Sequence, residues 1–103
     1  MRFIKPINLD CSSFILDVRS PEEYAVLTLG LPHVHQHIDE LEPTTFIKEN
    51  NLDHAQTINI LCHSGCRASR AAEMFEQAGY ENVAVIIGGI VEAEYEGIEI
   101  IRH

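Results

Sequence analysis

Three short runs of apolar, mostly β-branched residues recur along the chain, and segments with helix signals separate them. The runs cover residues 14–18, 57–62 and 83–87. Such short, continuous runs are typical of strands that are buried on both faces of a sheet. Because helical segments alternate with them, the sequence predicts an α/β domain whose central, mainly parallel β-sheet has helices on both faces.

The first run leads directly into a helix start. Ser20 suits the N-cap, Pro21 suits the first turn, and Glu23 can close a capping box with Ser20. We therefore expect a helix from Pro21 to about Leu27. Further helices are predicted from Pro43 to Asn50 or Asn51, from Cys66 to Ala78 and through Ala93.

Glycine and proline set the remaining boundaries. Gly30 and Pro32 predict a loop from Thr28 to His37, which leads into a short turn over Ile38 to Leu41. Gly79 is the expected stop of the long helix, whose apolar face carries Ala71, Ala72, Phe75 and Ala78. A last strand is expected over Ile98 to Ile101.

Length and charge limit the classes of function. A chain of 103 residues fits one domain, so we expect a single domain over 1–103. Sixteen acidic residues against seven Lys and Arg give a net charge of -9, which disfavours nucleic acid and membrane surfaces as partners. The N-terminal residues lack a signal-peptide pattern, and three cysteines do not form a disulfide framework, so a cytoplasmic location is expected.

The segment Cys62-His63-Ser64-Gly65-Cys66-Arg67 lies between a predicted buried strand and a predicted helix. Parallel sheets place their ligand crevice at this position. The N-terminus of the following helix favours a thiolate on Cys62, and Gly65 allows the loop to curl so that several backbone N–H groups converge on the sulfur. Cys62 is therefore the candidate nucleophile.

The motifs Asp17-Val18-Arg19-Ser20-Pro21-Glu22-Glu23-Tyr24, Cys62 to Arg67 and Gly88-Gly89-Ile90 resemble those of the rhodanese domain in order and spacing. The resemblance covers nearly the whole chain. It implies a sulfurtransferase that takes a sulfane sulfur from thiosulfate or a persulfide donor, holds it on Cys62, and passes it to cyanide or a thiol without a cofactor or metal. The implied substrate-binding residues are His63, Ser64, Gly65, Cys66 and Arg67.

The length of the loop separates this chemistry from a related one. The resemblance implies that six residues surround one extra sulfur atom, whereas related phosphatases and arsenate reductases use a longer loop. A phosphatase pattern would require arginine at position 68, which is Ala68. Ala68 also replaces the hydroxyl residue that often follows the arginine in the family, a role that Ser69 could take.

Other residues have simpler interpretations beside the functional ones. Asp17 and Arg19 are expected to form a structural ion pair, and Cys11 is expected to be a small residue without a role. The alternating histidines 33, 35 and 37 could bind a metal on an extended strand, but a polar turn is the favoured interpretation because no further ligand completes a set.

Two other functions remain open from the sequence. The chain could be a persulfide carrier or binding module that receives sulfur from a partner protein selected by its acidic surface. It could also be a thiol-redox switch that uses Cys62 and Cys66. Cys66 itself could be a resolving thiol that attacks the persulfide on Cys62 and releases sulfide, or a small residue at the pocket rim.

Overall fold

A computed structural model describes all residues from 1 to 103. Seven strands form β1 (Arg2–Ile4), β2 (Phe14–Asp17), β3 (Leu27–Leu29), β4 (Val34–His35), β5 (Ile58–Leu61), β6 (Val83–Ile86) and β7 (Ile100–Arg102). Four helices form α1 (Pro21–Val26), α2 (Pro43–Glu49), α3 (Cys66–Gln77) and α4 (Gly89–Tyr95), and single 3₁₀ turns cover Pro6–Asn8 and Ile38–Glu40.

The main sheet has five strands in the order β1-β6-β5-β2-β4, and all its neighbours pair in parallel. Strand β5 is therefore at the centre. Strands β3 and β7 form a separate antiparallel pair. The predicted α/β class with a mainly parallel sheet is confirmed.

Both faces of the sheet are buried, which explains the continuous apolar runs. On one face, Ile58 and Ile60 of β5 share a core with Phe46 of α2 and Phe75 of α3. On the other face, residues of β2, β5 and β6 pack against α4 (Ile15, Leu61, Ile86, Ile90 and Ala93). The longest helix, α3, has 12 residues, and no helix has the length and apolar character to span a membrane.

The local helix signals are confirmed at α1 and α3. The Ser20 hydroxyl accepts the N–H of Glu23 at 3.2 Å, and the Glu23 carboxylate accepts the N–H of Ser20 at 3.0 Å, which completes the predicted capping box. Helix α1 begins at Pro21 as predicted. Gly79 follows α3 with φ 92°, a left-handed conformation that ends the helix.

The structure differs from the predictions in four places. The expected loop from 28 to 37 contains most of β3 and all of β4, because both strands pair with distant segments, β3 with β7 and β4 with β2. The last strand begins two residues later than predicted and β1 was not predicted. Ala78 was expected on the apolar face of the long helix, but it is exposed because α3 ends at Gln77.

Candidate active site

Cys62 directly follows β5, at the carboxyl end of the central strand, and the loop after it leads into α3. Its side chain is 1% exposed. The strand, loop and helix thus place a buried thiol at the edge of the sheet where parallel strands form ligand crevices.

The sulfur of Cys62 accepts one hydrogen bond from the loop. The Gly65 N–H donates to Sγ at 2.8 Å, and Gly65 is the N-cap of α3 with φ 121°, which favours glycine. Of the several N–H groups expected to converge on the sulfur, that of Gly65 makes this hydrogen bond. Gly65 therefore has a direct role at the sulfur.

Gly89, at the start of α4, packs against the loop that follows β5. The Ile90 N–H donates to the carbonyl of Cys62 at 2.9 Å. Gly89 has φ 62°, and a Cβ there would lie 2.4 Å from the Cys62 carbonyl oxygen and 2.5 Å from that of His63. The close approach of these backbones requires glycine at position 89. The start of α4 consequently fixes the Cys62–His63 peptide.

Arg67 is bound by a carboxylate from α1. Its guanidinium donates to both oxygens of Glu23, at 2.6 and 2.9 Å. The hydrogen bond from Arg67 is the main reason that the pKa of Glu23 is lowered to about 2, and Glu23 in turn raises the pKa of Arg67. The anion that compensates Arg67 is thus supplied by the protein. The sequence identified Glu23 only as a helix cap, because nothing local links positions 23 and 67.

A second ion pair joins Asp17, at the end of β2, to Arg19. Arg19 and Asp17 are each at most 1% exposed in their side chains, and their closest atoms are 2.8 Å apart. Arg19 also donates to the carbonyl of Leu27 at 2.9 Å. The structural ion pair predicted for Asp17 and Arg19 is present, and it ties β2 to the start of β3.

A cleft of about 340 Å³ opens beside the loop. His63 lines it together with Arg19, Glu23 and Glu94, and the apolar part of its wall comes from Val26, Leu27, Ile90 and Val91. A larger groove of about 440 Å³ lies near the amino ends of the strands, around Phe14 and Thr57, and contains no cysteine or histidine. The smaller cleft is therefore the candidate substrate site.

The other loop side chains are close to solvent. His63, Ser64 and Cys66 are exposed, and Arg67 is partly buried. The suggestion that Ser69 supports the sulfur is wrong, because its hydroxyl donates to the carbonyl of Gly65 at 3.3 Å, as a serine inside a helix commonly does. Cys11 is exposed as well.

The three alternating histidines contact protein groups and do not converge. His33 Nε2 lies 2.7 Å from the Tyr24 hydroxyl, and His35 Nε2 lies 2.8 Å from the carbonyl oxygen of Arg19. His37 lies 3.6 Å from Asp39. His33 and His35 thus have structural contacts beside α1, whereas His37 lies at the start of the 3₁₀ turn that follows β4.

Comparisons with known proteins agree with this geometry. The family model of the rhodanese-like domain matches residues 3–95. The candidate sulfur carrier protein YrkF of Bacillus subtilis is 33% identical over 89 residues, which is 85% of this chain and 45% of that protein. The chain thus spans about half the length of this curated relative.

Solved structures show the same fold. A rhodanese-related protein from Thermoplasma volcanium is 26% identical, with a TM-score of 0.78 and 98% of both chains covered. The NAD-dependent persulfide reductase of A. fulgidus is 27% identical, with a TM-score of 0.67, over 88% of this chain and 16% of that protein.

Proposed function

Because this chain belongs to the rhodanese-like domain family, we propose that it is a sulfurtransferase in which Cys62 carries the transferred sulfur as a persulfide. The donor is thiosulfate or a persulfide, and the acceptor is cyanide or a thiol. The observation that carries the proposal is the position of Cys62, a buried thiol at the end of the central strand whose sulfur accepts the Gly65 N–H at 2.8 Å.

The reaction is a double displacement. The Cys62 thiolate attacks the outer sulfur of thiosulfate, a new S–S bond forms, and the bond between the two donor sulfurs breaks so that sulfite leaves with its electron pair. Cyanide or a thiolate then attacks the outer sulfur of the persulfide and releases the Cys62 thiolate. This cycle needs no cofactor or metal.

The loop and its supports have separate roles in this proposal. The Gly65 N–H stabilises negative charge on the sulfur in the thiolate and in the persulfide. Gly89 and Ile90 are positioning residues, because they hold the Cys62–His63 peptide. His63, Ser64 and Cys66 form the exposed rim that the donor meets, and Arg67 closes the loop through Glu23.

Two cysteine variants test the proposal. We expect Cys62→Ser to abolish sulfur transfer to cyanide, and Cys11→Ser to keep it within roughly threefold, because only Cys62 has the helix end and the amide donor that favour a thiolate. Steady-state rates with thiosulfate and with an organic persulfide measure both variants. Equal losses would show that Cys62 is not the nucleophile.

A persulfide carrier is the second candidate, and the similarity to the candidate sulfur carrier YrkF favours it. Here Cys62 receives sulfur from a partner protein that the net charge of -9 helps to select. Fast turnover of free thiosulfate by the isolated protein would argue against a carrier. Both candidates require a free thiol and therefore fit a cytoplasmic location.

The redox switch finds less support. Cys62 is buried and Cys66 is exposed at the start of α3. A disulfide between them would require a suitable distance and direction of both Cβ atoms, and the structure has both cysteines as free thiols. The switch predicts a Cys62–Cys66 disulfide after mild oxidation, whereas the sulfurtransferase predicts a stable persulfide on Cys62.

A further inference from the structure

The two arginines that the fold brings to the loop and its cleft are both neutralised by carboxylates. Arg67 is held by both oxygens of Glu23, at 2.6 and 2.9 Å. Arg19, the one arginine in the wall of the cleft, is buried against Asp17. The charge of each guanidinium is therefore already balanced by a carboxylate before an anion enters.

The rest of the cleft offers no unpaired Lys or Arg. Glu94 lines the cleft and is itself paired with Arg102. His63 is the remaining basic side chain in the wall, and it is exposed to solvent. A dianion such as thiosulfate would enter this cleft against a net molecular charge of -9 and lose hydration without meeting an unpaired Lys or Arg.

The apolar part of the wall favours another kind of donor. Val26 is 61% exposed and Val91 is 52% exposed, and both line the cleft. Exposed apolar side chains gain free energy when an uncharged organic group covers them. The volume of about 340 Å³ is at the lower end for small-molecule sites.

We infer that the sulfur donor at this site is a small organic persulfide with an uncharged group beside the sulfur, and that Glu23 disfavours thiosulfate by holding the guanidinium of Arg67. The inference rests on the proposed function and names its donor class. Glu23 acts through Arg67 and is therefore a positioning residue that sets specificity.

The loading step balances without another reactant. The Cys62 thiolate attacks the outer sulfur of the donor R–S–SH, the S–S bond of the donor breaks, and the thiolate R–S⁻ leaves with the electron pair. The proton stays on the transferred sulfur, so the product is Cys62–S–SH. The organic group R lies against the apolar wall during the attack.

A change in donor preference tests the inference. Rapid-quench intact mass gives the rate of sulfur loading from thiosulfate and from the persulfide of N-acetylcysteine methyl ester. In Glu23→Gln we expect the ratio of the thiosulfate rate to the persulfide rate to rise roughly tenfold over wild type, because the guanidinium of Arg67 loses its charged partner. Glutamine at this position still suits the capping box, so α1 should persist.

Glu22→Gln is the matched control. It removes the same charge from the same helical turn, but Glu22 is exposed and makes no contact with Arg67. Its ratio should stay within about twofold of wild type. The double variant Glu23→Gln with Arg67→Met should return the ratio to the wild-type value, since the freed guanidinium is then absent.

The outcomes separate this inference from the proposed function. An unchanged ratio in Glu23→Gln, or an equal rise in Glu22→Gln, would overturn the inference alone. No loading of wild type by either donor would overturn the proposed function as well. In wild type, sulfate, an unreactive dianion, should not compete with the organic persulfide when chloride holds the ionic strength constant. Competition by sulfate would contradict the inference even if Glu23→Gln did not fold.

Discussion

At the scale of single residues, the buried thiol of Cys62 and the charged side chains around it have separate roles. Cys62 is 1% exposed, and its sulfur accepts one amide hydrogen bond. The nearby charged side chains pair with each other, as Glu23 does with Arg67. The Cys62 motif and the Ser20–Glu23 capping box were predictable, because each depends on neighbours within a few residues. The Glu23–Arg67 pair was not, since it joins residues 44 positions apart.

The Glu23–Arg67 ion pair makes the free energy of unfolding depend on pH in the acidic range. The pKa of Glu23 lies at about 2 in the folded protein, against an ordinary value of 4.5. A lowered pKa contributes stability that is fully present above about pH 4.5 and is lost as the pH falls toward 2. We therefore expect the difference in free energy of unfolding between wild type and Glu23→Gln to shrink from about pH 5 to about pH 2.

Urea unfolding at several pH values measures this difference. Glu22→Gln, which keeps the ion pair, serves as the control. A difference between wild type and Glu23→Gln that stays constant over this range would show that the pair does not form as described.

At the scale of elements, the site depends on how α4 meets the loop after β5. Backbone contacts through Gly89 and Ile90 join them. The sequence predicted the buried central strands and the main helices from local patterns, but it missed β3 of the antiparallel pair and, in the main sheet, β1 and β4. Both are edge strands of two or three residues, and their pairing partners are distant in sequence.

A pair of glycine variants tests the contact between α4 and the loop. In Gly89→Ala, the new Cβ would overlap the carbonyl oxygens of Cys62 and His63, so we expect loss of most sulfur transfer and destabilisation by more than about 2 kcal/mol. Gly79→Ala has a similarly positive φ of 92° but nothing within 4 Å of the new Cβ. It should cost about 1 kcal/mol and leave the rate of transfer nearly unchanged.

Thermal unfolding and rates of transfer to cyanide, measured on both variants, separate backbone strain from displacement of the loop. Equal rates in the two variants would mean that the Cys62–His63 peptide does not need the support of α4. A loss of transfer in Gly79→Ala would mean that general destabilisation, and not the contact at Gly89, lowers the rate.

The whole molecule combines a parallel sheet, which creates one crevice at the end of β5, with an acidic surface. The fold class was predictable because the apolar runs alternate with helical segments over the whole length. The pairing of β3 with β7 was not predictable, since it joins residues 27–29 to residues 100–102. In the β3–β7 pair, Leu29 is fully buried in the core that includes Ile90 and Ala93 of α4. Leu27 of the same strand lies in the wall of the cleft. The wall of the candidate cleft thus depends on contacts between distant parts of the chain.

The most direct test of the central claim is the intact mass of the whole protein after treatment with an excess of sulfur donor. We expect wild type to gain the mass of one sulfur atom, peptide mapping to locate it on Cys62, and cyanide to remove it. Cys62→Ser should gain nothing under the same conditions. A gain of one sulfur atom by Cys62→Ser would contradict the assignment of Cys62 as the sulfur carrier. The same conclusion would follow if wild type gained no sulfur from either thiosulfate or an organic persulfide.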